Sequence, residues 1–126
     1  MQKVILDTNV IISSLISKGI PSKIVEELVI EQKVRICLSK EILDEYIGVI
    51  NRRKFSIFKN FYVNAEILID YIDIVSLRYS PEVKLKILSD LSDNKFLELA
   101  VTSKADFLIT GNVKDFYIKK LKIRLL

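Results

Sequence analysis

The 126-residue chain contains no histidine and only one cysteine. Without histidine there is no Ser-His-Asp or Cys-His triad and no imidazole ligand for zinc, and a single thiol cannot build a zinc site by itself. Cys37 sits in an apolar run, so it reads as a buried thiol in a reducing compartment. Prolines and glycines number two and three, and no linker, internal repeat or low-complexity segment interrupts the chain. No apolar run approaches the roughly 20 residues that a membrane helix needs. The N-terminus also lacks the basic start, apolar segment and small-residue cleavage site of a signal peptide. The expectation is a cytoplasmic protein without membrane contact.

Half of the residues are hydrophobic and 29% are charged. That balance predicts one globular domain spanning residues 1–126 with a substantial core. The net charge of +4 is compatible with a nucleic-acid partner and equally with plain solubility. Catalysis, if present, must rest on carboxylates, hydroxyls, lysines or a bound metal.

The first dozen residues organise the rest. Val4-Ile5-Leu6 reads as a buried strand, ended abruptly by the turn-forming Asp7-Thr8-Asn9. A helix is expected from Val10 to Ile16, closed by Lys18-Gly19. Pro21-Ser22 opens a second helix, with Ile24, Val25, Leu28 and Val29 as its buried stripe. Val34 to Leu38 reads as a second strand, and Ser39 caps the helix that begins at Lys40. Ile42, Leu43, Tyr46 and Val49 form that helix's inner face, and Glu45 shares it, whereas Glu41 and Asp44 point elsewhere. Phe55 to Tyr71 reads as two short helices with Asn60 or Asn64 near the boundary. Ile72 to Leu77 reads as a third strand, and Ser80-Pro81 as a loop or helix start. Phe96, Leu97, Ala100 and Val101 make another helical stripe. Phe107 to Ile109 reads as a strand finished by Thr110-Gly111-Asn112, followed by a helical turn around Asp115 to Lys119 and an edge strand from Lys122 to Leu126. Strands alternating with helices predict a parallel sheet covered on both faces.

Three acids stand out: Asp7 at a strand end, Glu45 on an apolar helix face, and Asp93 at a helix start. In a parallel sheet the strand C-termini and the following helix N-termini share one edge, so Asp7 and Asp93 are expected to meet there, with Glu45 reaching in from the flank. Converging carboxylates repel unless a proton or a cation joins them. Without histidine or a thiol cluster, the cation expected is Mg²⁺ or Mn²⁺. Each acid also has an ordinary role: Asp7 in a turn, Asp93 as a helix cap, Glu45 as a partner of Arg52 or Arg53. Arg52-Arg53-Lys54 is in the first place a cationic helix end that suits the helix dipole.

The segments VILDTNVIISSL, SKEILDEYIGVINRRKF and LSDLSDNKFLELAVTSKADFLITGN, in this order and spacing, resemble PIN-domain proteins. They look most similar to the branch of toxin components of toxin–antitoxin pairs. The resemblance covers about Lys3 to Phe116. It implies a three-layer, Rossmann-like α/β/α domain with a central parallel sheet, and a Mg²⁺- or Mn²⁺-dependent endoribonuclease that leaves 5′-phosphate and 3′-hydroxyl ends. Asp7, Glu45 and Asp93 match the family's metal-binding acids. Thr8 and Asn9 match its polar turn, and Thr110 its polar residue at the end of the fourth strand. Asn112 stands where many members carry an aspartate. Arg52, Arg53 and Lys54 are the first candidates to hold the RNA backbone. The implied partners are RNA, a cognate antitoxin and a second copy of the chain.

Two other readings compete. Asn112 motivates a catalytically weak or inactive domain that binds RNA or an antitoxin without cutting. A haloacid-dehalogenase-like phosphoryl transferase also places an aspartate after an apolar strand, but it needs a second aspartate two residues on, where this chain has Asn9.

Overall fold

The computed structural model describes residues 1–17, 19–82, 84, 94–110 and 122–125. The strands are β1 (Lys3–Leu6), β2 (Arg35–Leu38), β3 (Leu77–Arg78), β4 (Phe107–Thr110) and β5 (Lys122–Leu125). They form one sheet in the order β3-β2-β1-β4-β5, and every neighbouring pair is parallel. The helices are α1 (Thr8–Ile16), α2 (Ile20–Ile24), α3 (Lys40–Ile50), α4 (Phe61–Val75) and α5 (Asn94–Ser103). α2 runs on as wide π-helical turns over Val25–Ile30, and a 3₁₀ segment spans Arg53–Ile57.

Val4, Ile5 and Leu6 are all buried, as are Ile36, Cys37 and Leu38. In a strand, successive side chains point to opposite faces, so unbroken burial means that helices cover both sides of the sheet. This is the expected α/β/α arrangement. The strand order also fixes where a ligand fits. The chain proceeds from β1 to β2 and β3 on one side, while β4 and β5 add on the other, so strand order reverses between β1 and β4. Open parallel sheets bind ligands beyond the carboxyl ends of the strands at that point.

Ser39 caps α3 as expected: its hydroxyl accepts from the Ile42 backbone N–H at 3.3 Å. Ile42, Tyr46 and Ile50 are the helix's buried residues, with Leu43 and Val49 partly buried against the core. Ser39→Ala is expected to lower stability by about 1 kcal/mol, read as a shift in the urea midpoint with unchanged slope.

The segment after α3 departs from expectation. Phe55 belongs to the 3₁₀ turn, and its ring stacks on Phe61 at 4.6 Å between centroids. Asn60, in the left-handed conformation at φ 61°, starts one long helix, so the two helices are one short 3₁₀ turn and one helix of four turns. That helix consumes most of the expected third strand at Ile72 to Leu77, leaving only Leu77–Arg78 in the sheet. In a strand Ile72 and Ile74 would share a face, but Ile72 is 0% and Ile74 82% exposed, which fits helical spacing. The β-branched run was overridden by a longer stripe of Phe61, Ala65, Leu68, Ile69 and Ile72. In α5 the buried set includes Phe96, Leu97, Leu99 and Ala100, while Val101 is exposed. Cys37 is buried, and β5 pairs with β4 as the expected edge strand. The turn around Asp115 to Lys119 lies outside the described residues. Among the described residues no helix is long and apolar enough to cross a membrane.

Candidate metal centre at the switch point of the sheet

β1 delivers Asp7 to the carboxyl edge of the sheet. Its backbone N–H continues the ladder to the Ile109 carbonyl at 2.9 Å, and the side chain is buried at the reversal between β1 and β4. Thr110, the last residue of β4, donates its hydroxyl to Asp7 Oδ2 at 2.7 Å. The carboxylate and the hydroxyl thus close the gap between the two strands.

Asp7 stands at the position that caps α1, yet its side chain closes no capping hydrogen bond there. Burial pushes its pKa above the ordinary aspartate value; the Thr110 hydroxyl opposes the rise, and the negative charge of Glu45 adds to it. The backbone amides of Thr8 and Asn9 also favour the charged form.

Glu45 approaches from α3. Thr8, the first residue of α1, donates its hydroxyl to Glu45 Oε2, so neighbouring residues of one turn connect to both carboxylates. On the opposite side Lys95 of α5 places Nζ 2.8 Å from Glu45 Oε1. Tyr46, fully buried beside Glu45 in sequence, donates its hydroxyl to the Leu6 carbonyl at 2.5 Å. This bond ties α3 to the end of β1. The phenol is held well above its usual pKa, first by burial and then by the charges of Asp7 and Glu45, so it acts as a donor.

The structure brings together Asp7, Glu45, Thr8 and Thr110. Asn9 is exposed at the same turn. Asp93 and Asn112 lie outside the described residues, and among the described residues no group of three or more His, Cys, Asp or Glu converges. Arg52, Arg53 and Lys54 are exposed beyond the C-terminus of α3, roughly 10 Å along the helix axis from Glu45. Arg52 accepts a hydrogen bond from Tyr62 through its carbonyl, and Lys54 lies over the Phe55 ring at 5.3 Å. The expected partnership of Glu45 with Arg52 or Arg53 is replaced by the ion pair with Lys95. Neither Lys95 nor the Tyr46 hydroxyl shows its role in the sequence, because each acts across elements far apart in the chain.

The donor set suits a hard divalent cation. The groups at the edge are carboxylate and hydroxyl oxygens, and the rise in the Asp7 pKa marks a charge that its surroundings leave incompletely compensated.

The fold and site define a class: a parallel α/β domain that gathers carboxylates at the switch point of its sheet. The PIN domain family profile matches residues 3–114, and the chain belongs to that family. PIN domains are generally nucleases, and PIN nucleases generally use divalent metals. The uncharacterised protein MJ1680 of Methanocaldococcus jannaschii is 35% identical, over 87% of this chain and 70% of that protein. A chain in the crystal structure of VapBC2 from Rickettsia felis, bound to a DNA fragment from its promoter, shares the fold. The TM-score is 0.63 over 98% of each chain, at 18% identity.

Proposed function

We propose that this PIN domain is a Mg²⁺- or Mn²⁺-dependent endoribonuclease, acting as the toxin of a toxin–antitoxin pair. The observation that carries the reading is the pair of acids, Asp7 and Glu45, at the switch point, each tethered by a threonine hydroxyl. Asp7 and Glu45, with Asp93 as the third acid, would hold the metal. A divalent ion in such a site supplies a lowered pKa for water and neutralises charge on phosphorus oxygens.

The chain's own residues hold the carboxylates in place. Thr110 fixes one oxygen of Asp7 and orients the group along the sheet edge, while Thr8 fixes one oxygen of Glu45. Tyr46 anchors the helix that bears Glu45. Thr110 and the amides of the Asp7 turn favour the ionised carboxylate, the form able to bind a cation. Asn9 and Asn112 are proposed to support the edge with polar oxygens. Arg52, Arg53 and Lys54, all exposed, are proposed to hold RNA phosphates by charge. An antitoxin partner is supported by the likeness of fold to VapBC2, and a homodimer belongs to the same proposal.

The test is cleavage of a labelled mixed-sequence RNA by the full chain in Mn²⁺, Mg²⁺ or EDTA. Metal-dependent cutting that leaves 5′-phosphate ends is the expected result. Metal binding with intact folding but no cutting of any RNA would instead favour a module that binds RNA or an antitoxin without turnover, the reading that Asn112 motivates.

A further inference from the structure

Glu45 already has a cation. Lys95 Nζ lies 2.8 Å from Oε1, and the two side chains retain only 26% and 17% of their exposure. The Thr8 hydroxyl occupies the other oxygen, so both oxygens of Glu45 are engaged within the chain. Resting on the metal-site reading above, we propose that Lys95 is a resident counter-cation that competes with the divalent metal for Glu45. It is a positioning residue that sets how much metal the site requires.

Two cations cannot share one carboxylate oxygen at hydrogen-bond distance without strong mutual repulsion, and screening is weak where water is partly excluded. Binding of the metal to Glu45 therefore works against the ammonium and is favoured when it swings away. Lysine suits this role, because its charge rides on a flexible four-carbon stem that can swing away without moving the helix. In the metal-free protein the same pair holds Glu45 and draws α5 against α3. The threshold for metal and one contact of α5 with α3 thus share a single ion pair.

The proposal separates from a merely structural role by the sign of its effect. A structural ion pair, once removed, weakens the site. A competitor, once removed, strengthens metal binding. The experiment is calorimetric titration of the full chain with MnCl₂, without RNA, for wild type, Lys95→Met, Lys95→Arg and Asp7→Asn. Melting in EDTA and in Mn²⁺ checks the fold of each. Lys95→Met is expected to bind Mn²⁺ roughly tenfold more tightly, to melt lower in EDTA, and to gain more from Mn²⁺ than wild type. Lys95→Arg, which keeps the charge, should stay within about twofold of wild type. If Asp7-dependent Mn²⁺ binding is present but Lys95→Met binds no more tightly, the role of Lys95 is overturned while the metal site stands. If wild type and Lys95→Met bind no Mn²⁺, or bind it equally in the Asp7→Asn background, the metal-site reading falls and takes this proposal with it.

Discussion

Asp7→Asn is expected to reduce metal-dependent RNA cleavage by more than about a hundredfold, the upper end of what losing an outer-sphere partner of a metal costs. The same substitution should leave the metal-free fold at least as stable as wild type at neutral pH. The two effects have one cause. Asp7 is 5% exposed, and burial together with the charge of Glu45 raises its pKa above 3.8. A raised carboxyl in the folded state means that the unfolded chain releases its proton first. The contribution of Asp7 to stability is therefore full below pH 3.8, falls as pH rises from there through the raised value, and stays reduced above it. Asparagine carries no charge and escapes this loss, while its side-chain oxygen can still accept from Thr110. In EDTA the mutant should melt at or above wild type at pH 7, and the difference should vanish below pH 3.8. Mn²⁺ should raise the melting temperature of wild type, because a ligand of the native state stabilises it, and raise that of the mutant much less. A mutant several degrees less stable in EDTA at pH 7 would show that the charge on Asp7 is fully compensated by its partners.

The parts of this architecture legible in the sequence are those governed by local rules. An apolar run cut short by Asp-Thr-Asn places Asp7 at a strand end without reference to anything distant. Ser39 likewise announces a helix start through its own hydroxyl and the amide of Ile42. Glu45 was visible as a polar residue on an apolar stripe, a conflict between patterning and charge that pointed to a site. Local rules failed where tertiary packing chose between two local options. Ile72, Ile74 and Val75 have strand propensity, but the stripe beginning at Phe61 continues through Ile72 and keeps the segment helical. Leu99 and Val101 exchanged roles because the face that α5 buries is set by its neighbours. Lys95 carries no local sign of its role, since its partner lies on another helix. Asp93 and Asn112 were equally legible as motif residues, and both lie outside the described residues.

Tyr46 is where fold and site meet, and its substitution should have the largest effect on stability. The ring is fully buried, and the hydroxyl donates to the Leu6 carbonyl one residue before Asp7. Tyr46→Phe keeps the packing but leaves that carbonyl without this donor, at an expected cost of about 1–2 kcal/mol. Tyr46→Ala also removes the ring and leaves a cavity between α3 and the sheet, at about 3–5 kcal/mol. The larger loss is comparable with the whole stability of a marginal domain, typically about 5–15 kcal/mol, so the alanine variant should be partly unfolded near 37 °C. Urea denaturation followed by circular dichroism distinguishes the two by midpoint. The phenylalanine variant is the more informative for function. If the hydroxyl serves only stability, Tyr46→Phe will bind Mn²⁺ with wild-type affinity once folded. If it fixes the distance between the end of β1 and α3, the Asp7 and Glu45 carboxylates lose their common frame and Mn²⁺ affinity should drop severalfold in a protein that is otherwise native. The second result is expected, because the bond joins the backbone carbonyl next to Asp7 to the residue next to Glu45.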